Sequence, residues 1–231
     1  MSANPPESRS VDLGTLTRFG LENNLLRQGL EASSLAPLLL SDAELEQSLQ
    51  RALASPHAAR DLWLFAYGSL VWNPVLSYTA RTVATVHGYH RRFCLLSRIN
   101  RGTPERPGLV LALDRGGRCT GVAYRIPARE AEIELRLLWR REMLLGSYQP
   151  RWLQARLADG ERVHALAFVV DRAGSGYAGR RSDAQIVKTL ARARGRVGTG
   201  ADYLLRTHEG LASEGIVDPH LARLVRLLPA K

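Results

Sequence analysis

The sequence predicts an α+β fold built on an antiparallel or mixed sheet, not a doubly wound parallel one. Three observations carry this. Strand-like segments come first in the main domain. Two pairs of them flank glycine turns, at Gly116-Gly117 and Asp159-Gly160, as hairpins do. Helical patterns cluster late instead of alternating with strands. The 231 residues suffice for one large domain or two small ones, and an apolar content of 45% is ordinary for a chain that buries a core.

The elements follow in order. Residues 1–60 read as an N-terminal extension. Its first ten positions are rich in Pro and Ser and are expected to be disordered, and residues 11–60 are mainly helical. Ser41-Asp-Ala-Glu44 is a capping box, followed by Leu45, Leu49 and Leu53 at helical spacing, and Ser55-Pro56 ends that helix. This apolar stripe is expected to pack on the main domain or a second subunit. The main domain spans 61–231. Strands are expected at 62–67, at 82–97 (two short strands or one bent one), at 109–114 and at 119–126, the last two joined by the Gly116-Gly117 turn. A helix runs from about Pro127 to Leu145, with proline suited to a first helical position. Strands 151–158 and 162–170 flank Asp159-Gly160. A loop with Gly174, Gly176 and Gly179 covers 172–181 and reads as a surface loop, with a mobile lid as the alternative. Ser182-Asp183 caps a helix over 183–194, and helices follow at about 201–213 and 219–228.

Composition excludes several classes. No apolar stretch approaches the ~20 residues that span a membrane, and the N-terminus lacks the charged-then-apolar pattern of a secretory signal. Cys94 and Cys119 each sit in an apolar strand-like segment and read as buried small hydrophobes, so a cytoplasmic protein is expected. The net charge of +10 is almost entirely arginine, since Lys188 and Lys231 are the only lysines. The arginines are scattered, with their densest group at Arg192, Arg194 and Arg196, so no nucleic-acid partner is expected. The six histidines form no ligand-like cluster. His87 and His90 could lie near each other on a strand but have no further donor beside them. Ser69 is not in a Gly-x-Ser-x-Gly elbow, and the 174–179 loop is not a P-loop.

Two features carry chemistry. The run Leu62-Trp-Leu-Phe-Ala66 reads as a buried strand and stops abruptly at Tyr67-Gly68-Ser69-Leu70-Val71. Gly68 permits φ > 0 or a close backbone approach, and consecutive N–H groups on such a loop can hold an anion such as a carboxylate. The second feature is Glu142. On the helix containing Leu135, Leu138, Trp139 and Leu145, it falls in the middle of the apolar stripe, while Glu134, Arg136 and Arg140 occupy the solvent side. Arg140 and Arg141 lie close in sequence, but helical geometry points them elsewhere. A carboxylate on an apolar face is costly unless it is paired or reaches a cavity, and burial raises its pKa into a range useful for proton transfer. A buried structural ion pair is the alternative reading of the same position.

These residues resemble the ChaC-like γ-glutamylcyclotransferases. The resemblance rests on Phe65-Ala-Tyr-Gly-Ser-Leu-Val-Trp72, Gly88-Tyr-His-Arg-Arg-Phe93 with Ser97, Arg101-Gly-Thr103, Pro107-Gly108 and Gly121-Val-Ala-Tyr-Arg125. It continues through Trp139-Arg-Arg-Glu-Met143, Gly146, Tyr148, Pro150, Trp152, Tyr177-Ala-Gly179 and Asp202-Tyr-Leu204, covering about residues 61–225. It departs at Ala66, where relatives often have glycine. The resemblance implies a small mixed β-barrel with surrounding helices. It also implies that Tyr67, Gly68, Ser69, Leu70 and Val71 bind a γ-glutamyl group and that Glu142 is the acid/base. The implied activity is cleavage of glutathione, or of another γ-glutamyl compound, to 5-oxoproline without a metal or other cofactor. Arg92 or Tyr203 is a further candidate for substrate binding.

Overall fold

Five strands close into a barrel, and helices surround it. The computed structural model describes residues 16–229, so the expectation for residues 1–10 lies outside the described residues. The helices of the extension are α1 (Arg18–Glu22), α2 (Leu25–Glu31) and α3 (Asp42–Leu53). The main domain continues with β1 (Leu62–Ala66), α4 (Ser69–Trp72), β2 (Ala80–Ser97), β3 (Gly108–Ile126) and α5 (Ala131–Glu142). Then come β4 (Tyr148–Leu157), β5 (Arg162–Val170), α6 (Asp183–Arg192), β6 (Arg194–Gly195), β7 (Gly198–Thr199), α7 (Gly200–Ala212) and α8 (Pro219–Leu227). The barrel order is β1-β3-β2-β4-β5. It closes where β5 runs parallel to β1 through Trp63↔Ala165 and Leu64↔Leu166.

The continuous apolar character of β1 follows from burial on both faces. Phe65 and Tyr67 pack in one cluster with Ala84, Leu113, Ala123, Ala155, Ala165 and Ala167. The many alanines fit the narrow interior of so small a barrel. Leu62, Leu64 and Ala66 alternate to the other side and share a cluster with Leu135, Leu138 and Trp139 of α5. Trp139 meets Phe168 of β5 edge-on, with centroids 5.4 Å apart. Both cysteines are free and buried.

The expected hairpin at Gly116-Gly117 is not a hairpin. β3 runs through it as one strand, paired along its length with a single bent β2. Gly88, Gly116 and Gly117 have φ of 82°, 101° and 72°, and the register passes from His87↔Arg118 to Tyr89↔Arg115 across them. The glycines therefore bulge both strands at one level and bend the ribbon. The chain reverses instead over 98–107, where Thr103 N–H donates to Arg106 O at 3.1 Å. The Asp159-Gly160 turn does join β4 and β5, with Gly160 at φ 93°.

The extension packs on the main domain. Leu26, Leu30, Leu45 and Leu49 belong to the same hydrophobic cluster as α5 and the outer face of β1. The Ser41 capping box is present: Ser41 Oγ accepts from Glu44 N–H at 3.2 Å and Glu44 Oε2 from Ser41 N–H at 2.8 Å. This packing corrects one expectation. Glu134 is not on a solvent face, because α1 covers it. Its carboxylate accepts from Arg18 Nη1 and Nη2 at 2.9 Å each and from Ser77 N–H at 3.0 Å. The neighbouring Arg140 donates to Leu21 O and Glu22 O at the C-terminal end of α1, where a cation suits the helix dipole.

Candidate active site

β1 delivers Tyr67 to the end of the barrel, and Gly68 turns the chain into the single turn of α4. Gly68 has φ −133°, so of the two readings of this glycine a positive φ does not apply. The backbone there is closely approached: a Cβ would lie 3.0 Å from the Tyr203 hydroxyl, a tight contact. Val71 N–H donates to Gly68 O at 3.0 Å. The N–H groups of Ser69 and Leu70, first in the turn, have no intrahelical acceptor. The turn is fixed from below by the Tyr124 hydroxyl, which donates to Leu70 O and Val71 O at 3.0 and 3.2 Å. The Tyr67 hydroxyl donates to Phe168 O at 2.7 Å.

A cavity of about 150 Å³ lies against this turn. Tyr67, Gly68, Ser69 and Leu70 line it, as does Glu142. Val71 does not; the residue is 3% exposed and joins the core. Tyr203 lines the cavity, whereas Arg92 donates to Asp114 elsewhere, at 2.7 Å. The 172–181 segment is absent from the lining. It is tied along β2 by Leu96 N–H to Gly176 O and Ala178 N–H to Cys94 O, both 2.8 Å, as a strap on the barrel and not a cover of the cavity.

Glu142 is the last residue of α5, and its side chain is 14% exposed. Burial pushes its carboxyl up, and the charge and hydrogen bonding of Arg141 pull it partway back, leaving it above the ordinary carboxylate value. Arg141 does not point away, as helical geometry suggested. Its Nε lies 2.9 Å from Glu142 Oε1, Nη2 donates to Ser69 Oγ at 2.9 Å, and Nη1 donates to Asn73 O at 2.5 Å. One guanidinium thus ties the carboxylate to the turn. Ser69 Oγ is an acceptor in this arrangement, which is unlike an activated nucleophile.

The three tyrosines of the cavity are all pushed upward. Burial, then the nearby Glu142 charge, pushes Tyr67 well above its ordinary value. Burial does the same for Tyr148 and pushes Tyr203 up to about 12. Among the described residues, Glu142 is the one carboxylate in the lining. Among the described residues no group of three or more His, Cys, Asp or Glu is placed to hold a metal ion.

Two further residues escape a reading of the sequence pattern. Arg101, in the 98–107 reversal, is 3% exposed. Its guanidinium lies over Tyr203 and Trp72, 5.7 and 5.9 Å from the ring centroids, and makes one hydrogen bond, from Nη1 to Thr199 O at 3.2 Å. No carboxylate among the described residues lies within ion-pair distance of it, and burial pulls its pKa below the ordinary value. Beside it, Asn100 Oδ1 is buried without a hydrogen-bond partner. Both residues line the cavity. The backbone holding them is tightly packed: a Cβ on Gly102 would sit 2.1 Å from Gly108 N.

Comparison with known proteins follows the same lines. The sequence model of the ChaC-like protein family matches residues 62–231. The glutathione-specific γ-glutamylcyclotransferase of Escherichia coli is 42% identical over 188 residues, which cover 81% of this chain and 81% of that protein. Human glutathione-specific γ-glutamylcyclotransferase 1 is 35% identical over 170 residues, 71% of this chain and 77% of that one. Among solved structures, the yeast γ-glutamyl cyclotransferase specific to glutathione shares the fold, with a TM-score of 0.67 at 23% identity over 72% of this chain and 95% of that one.

Proposed function

The chain belongs to the ChaC-like family, and from that premise we propose that it is a cytoplasmic γ-glutamylcyclotransferase that cleaves glutathione to 5-oxoproline and Cys-Gly. The observation that carries the reading is Glu142, a carboxyl raised by burial and set against the Tyr67–Leu70 turn in a cavity that no other carboxylate of the described residues lines.

The chemistry needs such a group. The α-amine of the γ-glutamyl moiety attacks its own γ-carbonyl, forming the lactam C–N bond, and the bond to the cysteinyl nitrogen breaks. At neutral pH that amine is an ammonium and cannot attack. Glu142 accepts a proton from it and returns the proton to the leaving cysteinyl nitrogen. Both protons lost by the ammonium end on that nitrogen, so the reaction balances without oxidant or co-reactant. The flexible glutamyl chain must be held folded for ring closure, which is a positioning contribution. The N–H groups of Ser69 and Leu70 suit the α-carboxylate or the developing oxyanion. The buried guanidinium of Arg101, with no carboxylate of the described residues within ion-pair distance, suits the peptide's other carboxylate, at the glycyl end, and Asn100 Oδ1 suits the adjacent amide N–H. Val71 contributes backbone to the turn and no surface to the cavity. The partner is a small molecule, with no nucleic acid and no membrane.

The test is incubation with glutathione, γ-glutamylcysteine and a simple γ-glutamyl amine, with 5-oxoproline and Cys-Gly quantified. Equimolar 5-oxoproline and Cys-Gly from glutathione supports the reading. Release from the other compounds in preference to glutathione assigns a different γ-glutamyl substrate. No 5-oxoproline from any of them, together with a salt-dependent shift of nucleic acid, contradicts the enzyme reading.

A further inference from the structure

The match to the family begins at residue 62, yet three leucines far upstream line the cavity that holds Glu142. They are Leu16, Leu26 and Leu30. All are buried, at 8%, 4% and 2% exposure. Several contacts tie the segment bearing them to the site. Asn73 Nδ2 donates to Leu16 O at 3.2 Å, and Asn73 O is the acceptor of Arg141. Arg18 pairs with Glu134 of α5, and Arg140 of α5 holds the last carbonyls of α1. Arg27 Nη1 donates to Leu40 O at 3.1 Å, while Leu40 N–H donates to Leu144 O at 2.9 Å, just beyond Glu142. The extension is therefore latched both to the helix that carries the acid/base and to the turn opposite it.

We infer that the N-terminal extension is a specificity-determining wall of the substrate site, with Leu16, Leu26 and Leu30 taking the unsubstituted thiol side chain of the leaving dipeptide. The inference rests on the cyclotransferase reading. Glutathione offers two weakly polar stretches. Ring closure folds the glutamyl methylenes between the Tyr67–Leu70 turn and Glu142. The cysteinyl CH2–SH remains, and an uncharged apolar surface suits it, whereas the carboxylates and amides match the N–H groups, Arg101 and Asn100. A closed leucine wall also limits size, so glutathione conjugated at sulfur is excluded. Discrimination of one methylene by an apolar pocket amounts to about 10–200-fold.

The experiment measures kcat/KM for 5-oxoproline release from glutathione and from S-methylglutathione. It uses the full chain, Leu26→Ala, Leu30→Ala and the control Leu49→Ala. Leu49 is 1% exposed on α3 of the same extension and does not line the cavity. The expected result is a preference for S-methylglutathione relative to glutathione that rises about tenfold or more in Leu26→Ala or Leu30→Ala and stays unchanged in Leu49→Ala. An unchanged ratio in all variants, or an equal rise in Leu49→Ala, overturns the wall while leaving the activity standing. An unmodified chain that releases no 5-oxoproline overturns the cyclotransferase reading itself. Where an alanine variant does not fold, Leu26→Val or Leu30→Val gives the same readout with a smaller rise.

Discussion

Asp114 on β3 and Glu142 at the end of α5 are both carboxyls withdrawn from water beside arginine, and their surroundings drive them in opposite directions. Asp114 has no exposed surface. It accepts from Arg172 Nε at 2.6 Å, Arg92 Nη1 at 2.7 Å, Arg115 N–H at 2.9 Å and the Tyr177 hydroxyl at 3.0 Å. Burial pushes it up, but these donors together hold it below its ordinary value. Glu142 has one charged partner, and that partner divides its donors among Glu142, Ser69 and Asn73. Burial wins there, and the carboxyl is raised. A saturated buried carboxylate fixes structure, here the strap over 172–181. An undersatisfied one beside a cavity can exchange a proton.

The largest expected effect that would sharpen the comparison is at Glu142. Glu142→Gln should lower kcat for 5-oxoproline release by about 10²–10⁴-fold, the usual contribution of a general acid/base. It should not unfold the protein. Because the folded-state pKa of Glu142 is raised, the folded state binds the proton more tightly. Stability therefore falls as pH rises from the unfolded value of about 4.3 through the raised folded value. Glu142→Gln should accordingly melt at or above the unmodified protein at pH 7, with the advantage shrinking towards pH 4. A lower melting temperature at pH 7 would break the contrast.

Asp114→Asn should behave oppositely. Removing one partner of a buried ion network costs about 3 kcal/mol, read from the denaturant midpoint, with the kcat of the folded fraction little changed. The sign with pH also reverses. The stability from Asp114 is present above its unfolded pKa of about 3.9 and is lost as pH falls through its lower folded value. The smallest expected effect is at Arg101, a buried cation with no carboxylate of the described residues within ion-pair distance. Arg101→Met should raise KM for glutathione about tenfold while leaving the melting temperature unchanged or higher, since a charge whose burial outweighs its favourable contacts is exchanged for an apolar side chain.

What was legible in the sequence was local. The double-sided burial of β1, the capping box at Ser41, the helix cap at Ser182 and the Asp159-Gly160 hairpin each depend on neighbours a few positions away. Glu142 was legible because its displacement from the polar face is a matter of helical period. What was not legible depended on distant partners. Gly116-Gly117 has the composition of a turn, and only Gly88 on the paired strand makes it a bulge. Glu134 sits on a polar-looking face that is closed by Arg18, 116 positions away. Arg141 reaches both the adjacent Glu142 and Ser69 of the facing turn, which a wheel of Cα positions does not resolve. The environment of Arg101 is assembled from Trp72 of α4 and from Thr199 and Tyr203 at the start of α7, far apart in sequence.

The contrast between the two carboxyls is tested most directly by titrating their side-chain carbons by ¹³C NMR in the full chain, with Glu142→Gln and Asp114→Asn used to assign the signals. The expected result is a Glu142 midpoint above the ordinary carboxylate range of about 4 and an Asp114 midpoint below it. A Glu142 midpoint at or below that of an exposed glutamate would contradict the proton-carrier role proposed for it.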